Sequence, residues 1–229
     1  MQAAIKQNHS QFLARYSDYE LKWNPAEALR LALWVTQQSG ALPGLASETI
    51  VQAVDEVLSR ELIPVWGEKM GSPRSREARS DRWFLAALSD FNGQIQARDI
   101  VTFLAESAAK SVSDTRYTDR LLIPTAMRNA LVTCSKEKIK AISEESPQVG
   151  DLLKRLDALE ADKKRIPFSP HSVGLSSEDL DILAANGVVF REEDQYWIPE
   201  IFRHGLSFKA VGRPKILAIA NLVRQRNFD

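Results

Sequence analysis

The densest set of side chains able to do chemistry is a run of arginines, Arg74, Arg76, Arg79 and Arg82, followed shortly by Arg98 and Asp99. A guanidinium offers a planar fork of donors that fits carboxylate or phosphate. Arg74 and Arg76 read as loop residues. Arg79 and Arg82 stand three apart and share a face of a helix expected from about Ser75 to Ser89. Two uses compete for the cluster. One is a ligand site for carboxylate or phosphate. The other is an internal ion-pair network, in which Arg98 would answer Asp90 or Glu77.

Other chemistry finds little footing. There is no G-x-x-x-x-G-K-[ST] loop and no G-x-S-x-G elbow. The carboxylate pairs Glu144-Glu145 and Glu192-Glu193 sit in polar turns and read as solvated surface. The single cysteine, Cys134, lies on an apolar helix and reads as a buried small residue, with no disulfide available to it. His9, His171 and His204 are too scattered to hold zinc, so neither a metal site nor a catalytic set is expected. The formal net charge is zero, with 30 basic and 30 acidic residues, so any nucleic-acid surface must be local. The first residues carry no apolar signal segment, and no run approaches the roughly 18 apolar residues of a membrane span. A cytoplasmic protein without membrane contact is expected.

The elements that must position these groups are helices. Asn24-Pro25 starts one, with an apolar face of Leu29, Leu31, Ala32, Leu33 and Val35 up to Gly40. Ser47 opens a second, read as one helix through Ile50, Val54, Val57 and Leu58. A loop follows from Gly67 to Ser75. Gln96 to Ser111 forms a helix with Ile100, Val101, Phe103, Leu104 and Ala108 inward. Pro124 opens another, and Ser135 reads as the cap of a short charged helix after it. Pro147 to Asp162 is amphipathic.

Beyond residue 165 the pattern changes. Ile166-Pro167-Phe168 is a short extended segment, and Ser176 caps a helix closed by Asn186-Gly187. Val188–Phe190 and Tyr196–Ile198 form a hairpin around the turn Arg191–Gln195. A last helix is expected over Pro214–Gln225. Helix, short strand, helix and hairpin follow the order of a winged helix. The fold class is therefore mostly α, a helical bundle over residues 1–146 followed by a winged-helix-like α+β module over 147–229. The helix that would read DNA, residues 176–186, carries Glu178, Asp179 and Asp181 and no cation, which disfavours DNA as a partner. The candidate basic contact surface is Arg203, His204, Lys209, Arg213 and Lys215.

Three stretches carry a family resemblance. They are Trp66–Val101 around the arginines, Leu122–Leu131, and Gly187–Leu206. Together they resemble the helical lid and terminal winged helix of bacterial P-loop ATPases of the ParA/MinD-like or AAA-like type with a variant KGGVGR P-loop. The resemblance covers only that family's C-terminal portion. It implies a non-catalytic regulatory region whose lid arginine approaches nucleotide phosphates, with Arg98, then Arg79 and Arg82, as the nucleotide-sensing candidates. ATP and Mg²⁺ would then come only with a P-loop domain supplied in cis or in trans, and the winged helix would dock onto protein. The competing expectation is a free-standing winged-helix DNA-binding regulator with a helical oligomerisation domain. A purely structural adaptor is a third.

Overall fold

The computed structural model describes residues 24–44, 47–114 and 116–212. Among them are eleven helices and four short strands, so the protein is mostly α with a small α+β part. None of these helices is long and apolar enough to cross a membrane. The helix expected over Pro214–Gln225 lies outside the described residues.

Helix α1 (Pro25–Gln38) begins as its sequence dictates. Asn24 and Glu27 form a reciprocal capping box, each side chain bonding the other's backbone N–H at 2.9 Å. Ala28, Leu29, Ala32 and Leu33 form its buried face. The single helix expected next is instead two, α2 (Ser47–Gln52) and α3 (Asp55–Glu61). Val54 is extended at the break, and the freed Ala53 carbonyl accepts Arg30 Nη2 at 3.0 Å. Asp55 and Glu56 then sit in the first turn of α3, where acidic groups complement the helix dipole. Ile50 and Leu58 are buried, but Val54 is exposed, because the apolar period had been read through the break.

A short α4 (Ile63–Trp66) leads into the arginine segment, and α5 (Ser80–Leu88) starts five residues later than expected. Residues 78 and 79 stay out of the helix because they pair backward. Lys69 and Arg79 form an antiparallel bridge, and Met70 N–H donates to Ala78 O at 2.9 Å. Trp66, Phe84 of α5 and Phe103 of α6 (Ala97–Ser111) pack with tilted rings at the centre of the core, with centroids 4.8 and 5.5 Å apart. Ser107, rather than Val101 or Ala108, completes the inner face of α6.

Helix α7 (Pro124–Glu145) is continuous, against the expected restart at Ser135. Met127, Ala130, Leu131, Cys134, Lys138 and Ala141 keep helical spacing through that point, and no breaker interrupts them. Ser135 is fully buried there and accepts Gly205 N–H at 2.6 Å. Helix α8 (Pro147–Asp157) follows at once and is shorter than expected. It packs on α7 through Gly150, where a side chain would meet Ser143.

The α+β part continues through β1 (Arg165–Ile166), α9 (Pro170–Val173), α10 (Ser177–Ala185), β2 (Phe190–Glu192), β3 (Gln195–Trp197), α11 (Glu200–Arg203) and β4 (Lys209–Ala210). Ser176 caps α10 in a box with Asp179, as its spacing requires. Strands β2 and β3 pair antiparallel around Glu193-Asp194, a tighter turn than the five residues expected. Strand β1 pairs parallel with β4, and a Phe168–Tyr196 bridge ties this pair to the hairpin. Helix α11 packs on α7 and α5, and one apolar core runs from Leu29 to Phe208.

Candidate interaction site: the arginine loop and the joint behind it

The loop between α4 and α5 is organised by a residue that the sequence did not single out. Arg120 is almost fully buried. Its Nη1 donates to the carbonyls of Trp66 at 3.1 Å and Lys69 at 2.7 Å, and its Nη2 to that of Gly71 at 3.1 Å. Asp119 takes a forked bond from the same guanidinium, at 3.0 and 2.7 Å. Tyr117 lies beneath it, 4.8 Å from ring centroid to Cζ. The only sequence signal is Gly67, held at φ 75°, because a contact spanning some fifty residues leaves no local pattern.

On this frame the arginines divide. Arg79 is extended at the N-cap of α5, so it does not share a helix face with Arg82 as expected. It forks onto Asp81 at 3.2 and 3.0 Å, and Asp81 also accepts Ser59 Oγ at 2.7 Å. That hydrogen bond and charge raise the Arg79 pKa. Burial works to raise the Asp81 pKa, but the bonds from Arg79 and Ser59 hold it below the usual carboxylate range. The pair lines a cleft of about 220 Å³ with Ser59, Trp66 and Glu68. Arg74, Arg76 and Arg82 are exposed, and their side chains hold no hydrogen bond or ion pair among the described residues.

Arg98 belongs to another element, the first turn of α6, and rests on Gln96 Oε1 at 3.2 Å. It shares no partner with Arg79 or Arg82. Neither expected ion pair forms: Glu77 meets Arg128 at 3.3 Å, and Asp90 is occupied by backbone. Beneath Arg98, Asp99 is buried against Lys138 of α7 at 3.1 Å. Burial raises the Asp99 pKa, and the Lys138 charge works against that rise. Cys134 is wholly buried beside them, and desolvation pushes its thiol up to about 12.

The loop from α5 to α6 is the joint to the α+β part. Asp90 Oδ1 accepts the N–H groups of Asn92 at 2.9 Å and Gln94 at 2.8 Å, which shapes the turn. Phe91 N–H then donates to Gly187 O at 3.0 Å, and Asn92 Nδ2 to Ala185 O at 3.1 Å. The rings of Phe91 and Phe190 pack tilted against each other, centroids 5.6 Å apart. Gly187 has φ 69°, and a Cβ there would lie 2.9 Å from Asp90 Cγ. Burial pushes the Asp90 carboxyl up to about 6, against the opposing backbone bonds and the Lys138 charge.

No family model matches the chain, and neither a curated protein nor a solved structure matches it.

The candidate basic surface is rearranged by the fold. Arg203 Nε donates to Glu200 Oε1 at 2.7 Å, its Nη2 meets Oε2, and its Nη1 donates to Phe208 O at 3.0 Å. His204 Nε2 lies 2.9 Å from the same carboxylate. Glu200 is buried, which works to raise its pKa, yet its bonds to His204 and Arg203 hold it low. Arg203 and His204 therefore serve the inside of the module. Lys209 stays exposed, next to Arg165 across the parallel pair. Arg213 and Lys215 lie outside the described residues. Among the described residues, no three His, Cys, Asp or Glu side chains cluster closely enough to hold a metal ion.

Proposed function

We propose that this chain is a non-catalytic regulatory and interaction region of a P-loop ATPase, with its nucleotide-binding domain supplied in cis or in trans. The supporting observation is the joint. One loop, Asp90–Gln94, follows the arginine-bearing α5, precedes the Arg98 turn of α6, and grips Ala185 and Gly187 of the module. A displacement at the arginines is thereby carried to the module, as coupling between nucleotide state and partner binding requires. The strand and helix order of residues 147–210 supports the winged-helix reading. Its α10 exposes Glu178 and Asp181, and Asp179 is engaged by Arg155 at 3.0 Å, which suits docking onto protein. The DNA-regulator alternative loses Arg203 and His204 to Glu200 and gains no new cation on α10.

The test is ATP turnover by the native complex of this chain with its nucleotide-binding partner. Arg98→Ala or Arg82→Ala should lower kcat or raise KM for ATP. Unchanged values in both variants would sink the nucleotide-sensing role, and a native complex without ATPase activity would sink the reading altogether.

A further inference from the structure

Three guanidinium groups of the loop region, those of Arg74, Arg76 and Arg82, are exposed and unpaired among the described residues. Every other guanidinium there already has a carboxylate: Arg79 has Asp81, Arg120 has Asp119, and Arg128 has Glu77. Arg82 stands in the first turn of α5, and the loop that carries Arg74 and Arg76 is closed at its base by the Lys69–Arg79 bridge. Residues 72–77 bury no apolar side chain, and the preceding residues, among them the buried Met70, are fixed by Arg120 through the carbonyls of Trp66, Lys69 and Gly71. Lys69 Nζ adds a bond to Ser75 O at 3.1 Å, and Ser80 N–H one to Glu68 O at 3.0 Å. A surface built this way loses little conformational freedom when it binds.

We propose that Arg74 and Arg76 of the loop, with Arg82 of the first turn of α5, form a docking surface for an acidic segment of a partner protein. Carboxylates fit forked guanidinium donors, and three free cations match a short acidic stretch. A nucleic acid fits less well. The loop offers no exposed aromatic ring for base stacking. The proposal does not depend on the partner being an ATPase.

The full chain is titrated into fluorescein-labelled hexaglutamate and into a fluorescein-labelled oligothymidylate of equal charge, at 50 and at 200 mM NaCl, with fluorescence anisotropy as readout. Hexaglutamate should bind at the lower salt. Replacing Arg74, Arg76 and Arg82 together by alanine should weaken it by about tenfold or more, while Arg165→Ala with Lys209→Ala leaves it unchanged. All three positions are exposed, so folding is not at stake. No binding by the natural chain, equal binding by the triple variant, or tighter binding of the oligothymidylate through the same arginines would overturn the proposal. ATP turnover plays no part in this measurement, so its failure is separable from that of the regulatory reading.

Discussion

The guanidinium of Arg120 fills the space in which any side chain on Gly67 would begin: a Cβ there would lie 2.1 Å from Arg120 Cζ. Residue 67 also sits at φ 75°, a region that other residues enter at a cost. Gly67→Ala must therefore strain the backbone and push Arg120 off its carbonyls. A loss of about 3 kcal/mol is expected in urea denaturation. Hexaglutamate binding should fall with it at temperatures where the variant is folded. A variant as stable as the natural chain would show that the contact does not constrain the loop.

Lys138 and Asp99 form an ion pair in which both side chains are nearly inaccessible. Such a pair contributes little against an apolar substitute, but breaking it leaves a bare buried charge. Lys138→Met should thus destabilise by about 3–5 kcal/mol. Lys138→Met combined with Asp99→Leu should recover much of that loss. A double variant no better than the single one would mean the pair is not coupled as the 3.1 Å contact implies.

Asp90 makes stability depend on pH in a direction opposite to Asp81, Asp179 and Glu200. Its folded pKa is raised from 3.8 to about 6. As pH falls through 6, the folded chain takes up this proton before the unfolded one does, so stability rises. The gain between pH 7 and pH 5 is about 1 kcal/mol for this group. Asp99, also raised, acts in the same sense. Below about pH 4 the trend reverses, because Asp81, Asp179 and Glu200 have lowered pKa values and lose their bonds on protonation. Urea midpoints at pH 7 and pH 5 should show the rise, and Asp90→Asn should reduce it. An identical rise in the variant would assign the effect elsewhere.

Ser107 Oγ is buried in α6 without a hydrogen-bond partner among the described residues. Its desolvation is uncompensated, so Ser107→Ala should leave stability unchanged or raise it by up to about 1 kcal/mol. A clear loss in a thermal melt would reveal a partner at that site.

How much of this was legible beforehand depended on the range of the interaction. Asn24 with Glu27 and Ser176 with Asp179 could be read directly, because a capping box is complete within four residues. The α6 and α7 faces were read from period, apart from Val101, Ala108 and the restart placed at Ser135, and the mostly α class followed from the sum of such local signals. The late start of α5 was not legible, since Arg79 is held extended by pairing with Lys69, ten residues earlier. Nor was the fate of the charged groups. Sequence ranked Arg98 ahead of Arg79 and Arg82 as nucleotide-sensing candidates and set Arg203 and His204 apart in a basic contact surface. Only the fold paired Arg79 with Asp81, turned Arg203 and His204 onto Glu200, and left Arg82 free.

Composition, period and caps thus determined the class of structure, its principal helices and the presence of an arginine-rich segment. Tertiary structure decided which of those arginines face outward. It did so by closing Arg79 onto Asp81, Arg128 onto Glu77 and Arg203 onto Glu200, and by burying Arg120 against carbonyls some fifty residues away. A side chain's charge is written in the sequence. Whether that charge is spent internally or presented to a partner depends on which carboxylates and carbonyls the folded chain brings within about 3 Å.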